Sequence, residues 1–171
     1  GNLYSVQQAF KRVNQPLEII CDIKSLRICD ALILPGVGSF DPAMTNLKRT
    51  DLIPSIIDWV NNGKPLLGIC LGLQLLFESS EEGNLKGLGV IKGQIRKLPK
   101  EKNERIPHIG WSPIIKINEC PILENHSVSN WMYFVHSYSA CPLEQKNTVA
   151  TTKFGETNVS SMVWHKNTGA C

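Results

Sequence analysis

Apolar positions along the 171-residue chain fall into two textures. In the first, Leu3, Val6, Phe10 and Val13 recur at the spacing that puts them on one helical face, which predicts an amphipathic helix over residues 2–13. Two apolar runs follow: Leu17 to Ile23, rich in β-branched residues, and Ala31 to Leu34, which leads into the Gly-rich turn Pro35, Gly36, Val37, Gly38. Both runs read as buried parallel strands. Asp41 before Pro42 has the form of an N-cap and a first helical residue. Leu52, Ile53, Ile56, Ile57 and Val60 line one face of a further helix stopped by Gly63. Pro65 to Ile69 is another short apolar run, Cys70 follows at once, and Leu71 to Glu78 has helical composition. Strand, turn and helix therefore meet at Cys70.

Beyond residue 83 the texture changes to short β-favouring segments separated by Gly, Pro, Asn and charged turns. These are Gly89 to Leu98, Ile106 to Ile117, Trp131 to Ala140, Thr148 to Lys153 and Val159 to Lys166. The polar stretch from Lys97 to Arg105 reads as a mobile loop. There is no internal repeat. The whole, residues 1–171, reads as one α/β domain with an added antiparallel sheet in its second half.

Charge and composition narrow the function classes without naming one. A net charge of +3, from 18 Lys and Arg against 15 Asp and Glu, is scattered without a basic run, so no nucleic-acid footprint is visible. The six cysteines, Cys21, Cys29, Cys70, Cys120, Cys141 and Cys171, form no C-x-x-C pair and read as free thiols of a reducing compartment. No apolar run approaches the roughly 20 residues of a membrane span and no leader opens the chain, which points to the cytoplasm. No His, Cys and carboxylate cluster has metal-ligand spacing, and no phosphate-cradling loop occurs.

The strongest chemical signal is Gly68, Ile69, Cys70, Leu71, Gly72. It has the G-x-nucleophile-x-G form of a strand-to-helix elbow, with Cys where hydrolases carry Ser. Such a turn strains the nucleophile's backbone and brings its neighbours so close that a side chain two residues either way would clash. A thiolate at the start of a helix is also favoured by the helix dipole. The plain alternative is a small buried hydrophobe after an apolar strand. An elbow nucleophile further needs N–H donors for a developing oxyanion. Leu71 supplies one, and the loop of Gly36, Val37 and Gly38, expected at the same carboxyl edge of the sheet, can supply another. The plain alternative for that loop is an ordinary turn.

Taken together, Pro35 to Phe40, Gly68 to Gln74, Pro107 to Trp111 and Val135 to Tyr138 resemble, in order and spacing, the glutaminase subunits of imidazole glycerol phosphate synthases, class I glutamine amidotransferases. The resemblance runs from Gly1 almost to Cys171. It implies a flavodoxin-like open, mostly parallel sheet flanked by helices. It also implies cofactor-free hydrolysis of glutamine by Cys70, with Val37, Gly38 and Leu71 around the oxyanion and Gly36, Gly38, Gln74, Ser137 and Tyr138 binding substrate. The implied partner is a (β/α)₈-barrel cyclase that receives the ammonia. Pro107 to Trp111 would lie near that interface, with Trp111 either an exposed anchor or a core residue; Ser112 replaces the family's usual Asn, which puts that contact in question.

The family's catalytic His and Glu lie in a His-Pro-Glu motif after the strand that here closes with Thr168 to Cys171, and the family opens with a strand before its Gly-Asn. Neither is among these residues. Both ends are therefore expected to be trimmed, and the 171-residue chain to be inactive or nearly so. His108 and His136 fall on family positions other than the base; His126 and His165 read as solvent-facing or hydrogen-bonded imidazoles. Three other readings stay open on these residues: a paralogue feeding sugar amidotransfer, a non-catalytic subunit lacking the base, and a redox sensor with a reactive elbow cysteine.

Overall fold

The computed structural model describes residues 3–124 and 131–171, so His126 lies outside the described residues. The amphipathic pattern at the start forms α1, Leu3–Arg12, none of whose residues is fully buried. The run from Leu17 to Ile23 is not the expected strand. It pairs with no described strand, Ile19 stays largely exposed, and the short helix α2, Ile23–Arg27, begins at its end, capped by the Asp22 carboxylate accepting from the Ser25 N–H. An apolar run makes a strand only where another backbone satisfies its N–H and C=O groups, and among the described residues no strand pairs with this one.

The second expected strand forms as β1, Leu32–Gly36. The helix α3, Phe40–Lys48, then starts earlier than the Asp41 signal suggests, with Ser39 at the N-cap. Asp41 instead turns its carboxylate to the N–H groups of Asn84 and Leu85, which fastens a distant loop to the first turn of α3. Those two bonds hold the Asp41 carboxyl below its ordinary range. The apolar face beginning at Leu52 forms α4, Ile53–Asn61, ended at Gly63, whose φ of 70° suits a residue without Cβ. Next come β2, Leu66–Cys70, and α5, Leu71–Leu75, joined without a linking residue; α5 is shorter than the composition through Glu78 implied.

Eight further strands follow: β3, Ser79–Ser80; β4, Gly93–Lys97; β5, His108–Lys116; β6, Trp131–His136; β7, Tyr138–Pro142; β8, Thr148–Phe154; β9, Thr157–His165; and β10, Thr168–Ala170. The expected single strand from Trp131 to Ala140 is in fact two, interrupted at Ser137. All ten strands belong to one curled, mixed sheet of order β1-β2-β10-β9-β7-β4-β3, with β8, β5 and β6 branching in series from β9. Pairing is parallel for β1 with β2, β2 with β10 and β3 with β4, and antiparallel elsewhere. The antiparallel strands are thus not a separate layer but continue the parallel ones through β9.

The largest core cluster packs α3, α4 and α5 on the parallel strands through Phe40, Met44, Leu66, Leu71, Leu76 and Phe77. Smaller clusters around Val149 and Met162, and around Leu98 and Phe154, underlie the antiparallel strands. Among the described residues, no helix is long and apolar enough to cross a membrane.

Candidate active site

The elbow at Cys70 is built by close packing of backbone. Cys70 lies at φ 56° and ψ −113°, a conformation that L-residues with a side chain rarely adopt. It is held there because β2 runs straight into α5 and α5 folds back against β1. A methyl group on Gly72 would land on the carbonyl oxygen of Leu34. One on Gly68 would lie 3.0 Å from the Leu73 nitrogen, and one on Gly36 would lie 3.0 Å from the Leu71 Cβ. These glycines are required for want of room. The Cys70 N–H donates to the carbonyl of Cys171 (2.7 Å), and the Cys171 N–H donates to the Gly68 carbonyl (3.0 Å), so the turn is stitched to the strand beside it. The Cys70 side chain itself is exposed.

Gly36 and Cys70 are register partners in the parallel pair β1 and β2, which brings the loop after β1 to the mouth of the elbow. Gly38 there has φ 102°, accessible to glycine at little cost. Val37, Gly38, Cys70, Leu71, Gln74, Ser137 and Tyr138 line one cavity of about 290 Å³, along with Glu82, Pro107, Val135 and His136. Gly36 is not among the lining residues; its place is against Leu71, behind the elbow.

Gln74 lies one helical turn past Cys70, and its Oε1 is buried without a hydrogen-bond partner. A buried amide oxygen left unpaired costs about 1–3 kcal/mol, so this atom is set for a donor that the protein does not supply. Glu82 is the lining carboxylate that the sequence reading missed. Its Oε2 accepts from the Phe40 N–H (2.8 Å) at the start of α3. Nothing in the Glu-rich stretch around it distinguishes Glu82 in sequence; only the return of the chain after α5 brings it to the cavity.

His136 was also not expected at the site. Its Nδ1 is 2.9 Å from the Tyr138 carbonyl oxygen and its Nε2 3.2 Å from His108 Nδ1, while His108 Nε2 is 3.0 Å from Ser112 Oγ. Burial pushes the pKa of both imidazoles down. With both rings neutral, the protons are assigned by the carbonyl at one end, which can only accept. His136 Nδ1–H donates to Tyr138, His108 Nδ1–H donates to His136 Nε2, and the Ser112 hydroxyl donates to His108 Nε2.

Continuing from the rim of the cavity at Val135, β5 and β6 present an apolar sheet face. Ile109 lies opposite Val135, Trp111 opposite Tyr133 and Pro113 opposite Trp131, and the burial alternates so that all six are exposed. Trp111 is 66% exposed and meets Tyr133 edge-on at 5.6 Å. Ser112 points the other way, toward His108, so its identity does not bear on that face. His165 lies on β9, away from the lining of the cavity. No group of three His, Cys, Asp or Glu among the described residues could hold a metal ion.

The glutamine amidotransferase class-I family model matches residues 3–170 of the chain. A protein of Prochlorococcus marinus (strain NATL2A) named imidazole glycerol phosphate synthase subunit HisH is 81% identical over 171 residues, covering all of this chain and 82% of that protein. Its namesake from strain MIT 9211 is 60% identical over the same residues, covering 80% of that protein. A solved structure described as a glutamine amidotransferase superposes with a TM-score of 0.74 over 99% of this chain and 83% of the other. At 17% identity, that likeness speaks for the fold alone.

Proposed function

The chain belongs to the class I glutamine amidotransferase family, and on that premise we infer that it is the glutamine-hydrolysing subunit of an imidazole glycerol phosphate synthase, acting in histidine biosynthesis. The observation that carries the chemistry is Cys70, strained, exposed and seated on an elbow at the mouth of the cavity. In this reading the Cys70 thiolate attacks the side-chain amide carbon of glutamine. The tetrahedral oxyanion is met by the Leu71 N–H and the Val37–Gly38 loop, ammonia leaves with an added proton, and water cleaves the γ-glutamyl thioester to release glutamate. Gln74 offers its unpaired Oε1 to the N–H donors of the substrate, Glu82 faces the α-ammonium, and Ser137 and Tyr138 contact the amino-acid end. Gly36 serves by letting Leu71 close on the elbow. One domain holds all of these groups.

The group that protonates the leaving ammonia is not His136. Both its ring nitrogens are engaged, one by Tyr138 and one by His108. The family resemblance gives that step to a His-Pro-Glu motif, a tripeptide absent from these 171 residues. A polypeptide of these residues alone should therefore turn over glutamine negligibly, and full turnover by it would overturn this assignment.

The barrel-type cyclase that the resemblance implies would take the ammonia, and the β5–β6 face with Trp111 near its centre is the docking surface we assign to it. The relatives' name, subunit of a synthase, supports a partner of this kind. The same reading places the protein in the cytoplasm. It is tested with a glutamine-analogue electrophile such as diazo-oxo-norleucine: the full-length protein should be alkylated on Cys70, and glutamine should compete. A redox sensor would be left unlabelled, and that outcome would overturn the reading.

A further inference from the structure

At Ser137 the chain leaves one sheet neighbour for others: β6 before it pairs with β5, whereas β7 after it pairs with β4 and β9. A break of this kind costs a strand its regular ladder bonds, and something else has to fix the backbone across it. Two contacts do so. The Ser137 carbonyl accepts from the Leu98 N–H (2.9 Å), and the Tyr138 carbonyl accepts from the ring of His136, the residue on the other side of the break.

The His136 ring can serve that carbonyl only while its Nδ1 carries the proton, which in a neutral imidazole leaves Nε2 bare. His108 supplies the matching donor. Its own ring is set by stacking on Phe134 at 5.0 Å, by Phe154 at 5.5 Å and by the Ser112 hydroxyl. The charged groups near this chain are Glu104, which bears on His108, and Glu82, which lines the same cavity as His136. His108 does not line the cavity; His136 does, beside Ser137 and Tyr138.

We propose that His108 is a positioning residue for glutamine binding: through the ring of His136 it fixes Ser137 and Tyr138 in the form that receives the amino-acid end of the substrate. This rests on the glutaminase reading above, and it adds a residue that no spacing or motif had assigned. The mechanism is one of direction. With the His108 donor in place, the His136 ring has a single hydrogen-bonded orientation; without it, Nε2 is an unpaired buried acceptor and the ring has no reason to keep Nδ1 on Tyr138.

Two substitutions separate the donor from the mere presence of a polar side chain. The amide nitrogen of asparagine occupies the place of an imidazole Nδ1, that of glutamine the place of Nε2. Full-length protein assembled with its barrel partner should be assayed for glutamine hydrolysis as wild type, His108→Asn and His108→Gln. His108→Gln should raise KM for glutamine about fivefold while kcat changes less than about twofold, and His108→Asn should restore KM to within about twofold of wild type. A purely structural role would lower the active fraction, and so kcat, without separating the two variants in KM.

Equal KM values for all three proteins would overturn the proposal. If His108→Gln fails to fold, Ser112→Ala probes the same chain from its outer end and should raise KM two- to threefold, roughly half of the main effect on a logarithmic scale; an unchanged KM there overturns the proposal as well. A wild-type assembly that leaves glutamine intact would overturn the glutaminase reading itself, which is a different result from intact turnover with an indifferent His108.

Discussion

The turn at Cys70 and the break at Ser137 line the same cavity, yet they are held by different means. At Cys70 the constraint is backbone on backbone. Gly72 lies against the Leu34 carbonyl, Gly36 behind Leu71, and the N–H of the cysteine is bonded to the next strand. At Ser137 the constraint passes through side chains, a file of two imidazoles and a hydroxyl. The first arrangement tolerates no change of residue and needs no particular protonation state. The second tolerates some change of residue but depends on where each proton sits. In the glutaminase reading proposed above, chemistry that must place one sulfur atom is built on sterics, and recognition that must orient several polar groups is built on hydrogen bonds.

The sharpest way to break this comparison is at the nucleophile. Cys70→Ser in the full-length assembly should lower glutamine turnover by at least about 10⁴-fold and abolish electrophile labelling, as loss of a nucleophile does elsewhere. Substantial residual turnover would mean that the elbow is not where the chemistry happens. Gly72→Ala should cost about 3 kcal/mol or more in urea unfolding, because the new methyl group meets a backbone carbonyl that can move only with β1. A near-neutral result would show that the elbow is looser than its packing indicates.

How much of this was legible in sequence follows the same division. The elbow could be read from Gly68, Cys70 and Gly72 because its constraint is local: residues two apart, one strand and one helix. The loop from Gly36 to Gly38 was legible for the same reason, since parallel strands end together. Leu17 to Ile23 was misread because an apolar, β-branched run has the composition of a strand whether or not a neighbour arrives to pair with it. The break at Ser137 was missed because Trp131 to Ala140 reads as one continuous β-favouring run; only the change of partner from β5 to β4 and β9 divides it. Glu82 was missed because nothing adjacent in sequence distinguishes it, and His136, although it lies beside Ser137 and Tyr138, was set aside because the resemblance gives it no part as the base.

Trp111 sharpens the comparison from the outside. If the β5–β6 face docks the proposed cyclase, Trp111→Ala should weaken that assembly by about 2 kcal/mol, roughly 30-fold in Kd, while leaving the stability of the isolated chain nearly unchanged, because two-thirds of the residue is already exposed. A large loss of stability with no loss of affinity would make Trp111 a packing residue after all.

The smallest effect is expected from acid. His108, His136 and His165 all have pKa values pushed below the usual 6.5, in each case chiefly by burial. The unfolded chain therefore binds more protons than the folded one as pH falls below 6.5, and stability should decline over that range and level off once the folded imidazoles are themselves protonated. Urea midpoints between pH 7 and pH 5 measure this decline. His108→Leu should make it shallower by removing one of the three groups, whereas a slope unaffected by that change would show that the carboxylates dominate.

The bond from Cys70 to Cys171 bears on the order in which the protein is made. The elbow is encoded near the middle of the chain, but its closing hydrogen bonds and the pairing of β2 with β10 come from residues about one hundred positions later. A ribosome therefore releases the motif long before the strand that seats it, and loop closure over that distance is slow compared with forming α3 or α4. During synthesis Cys70 sits on an unfinished turn, and it acquires its strained geometry only when β10 and Cys171 arrive. For that interval every nascent chain carries the residues of the elbow without its shape.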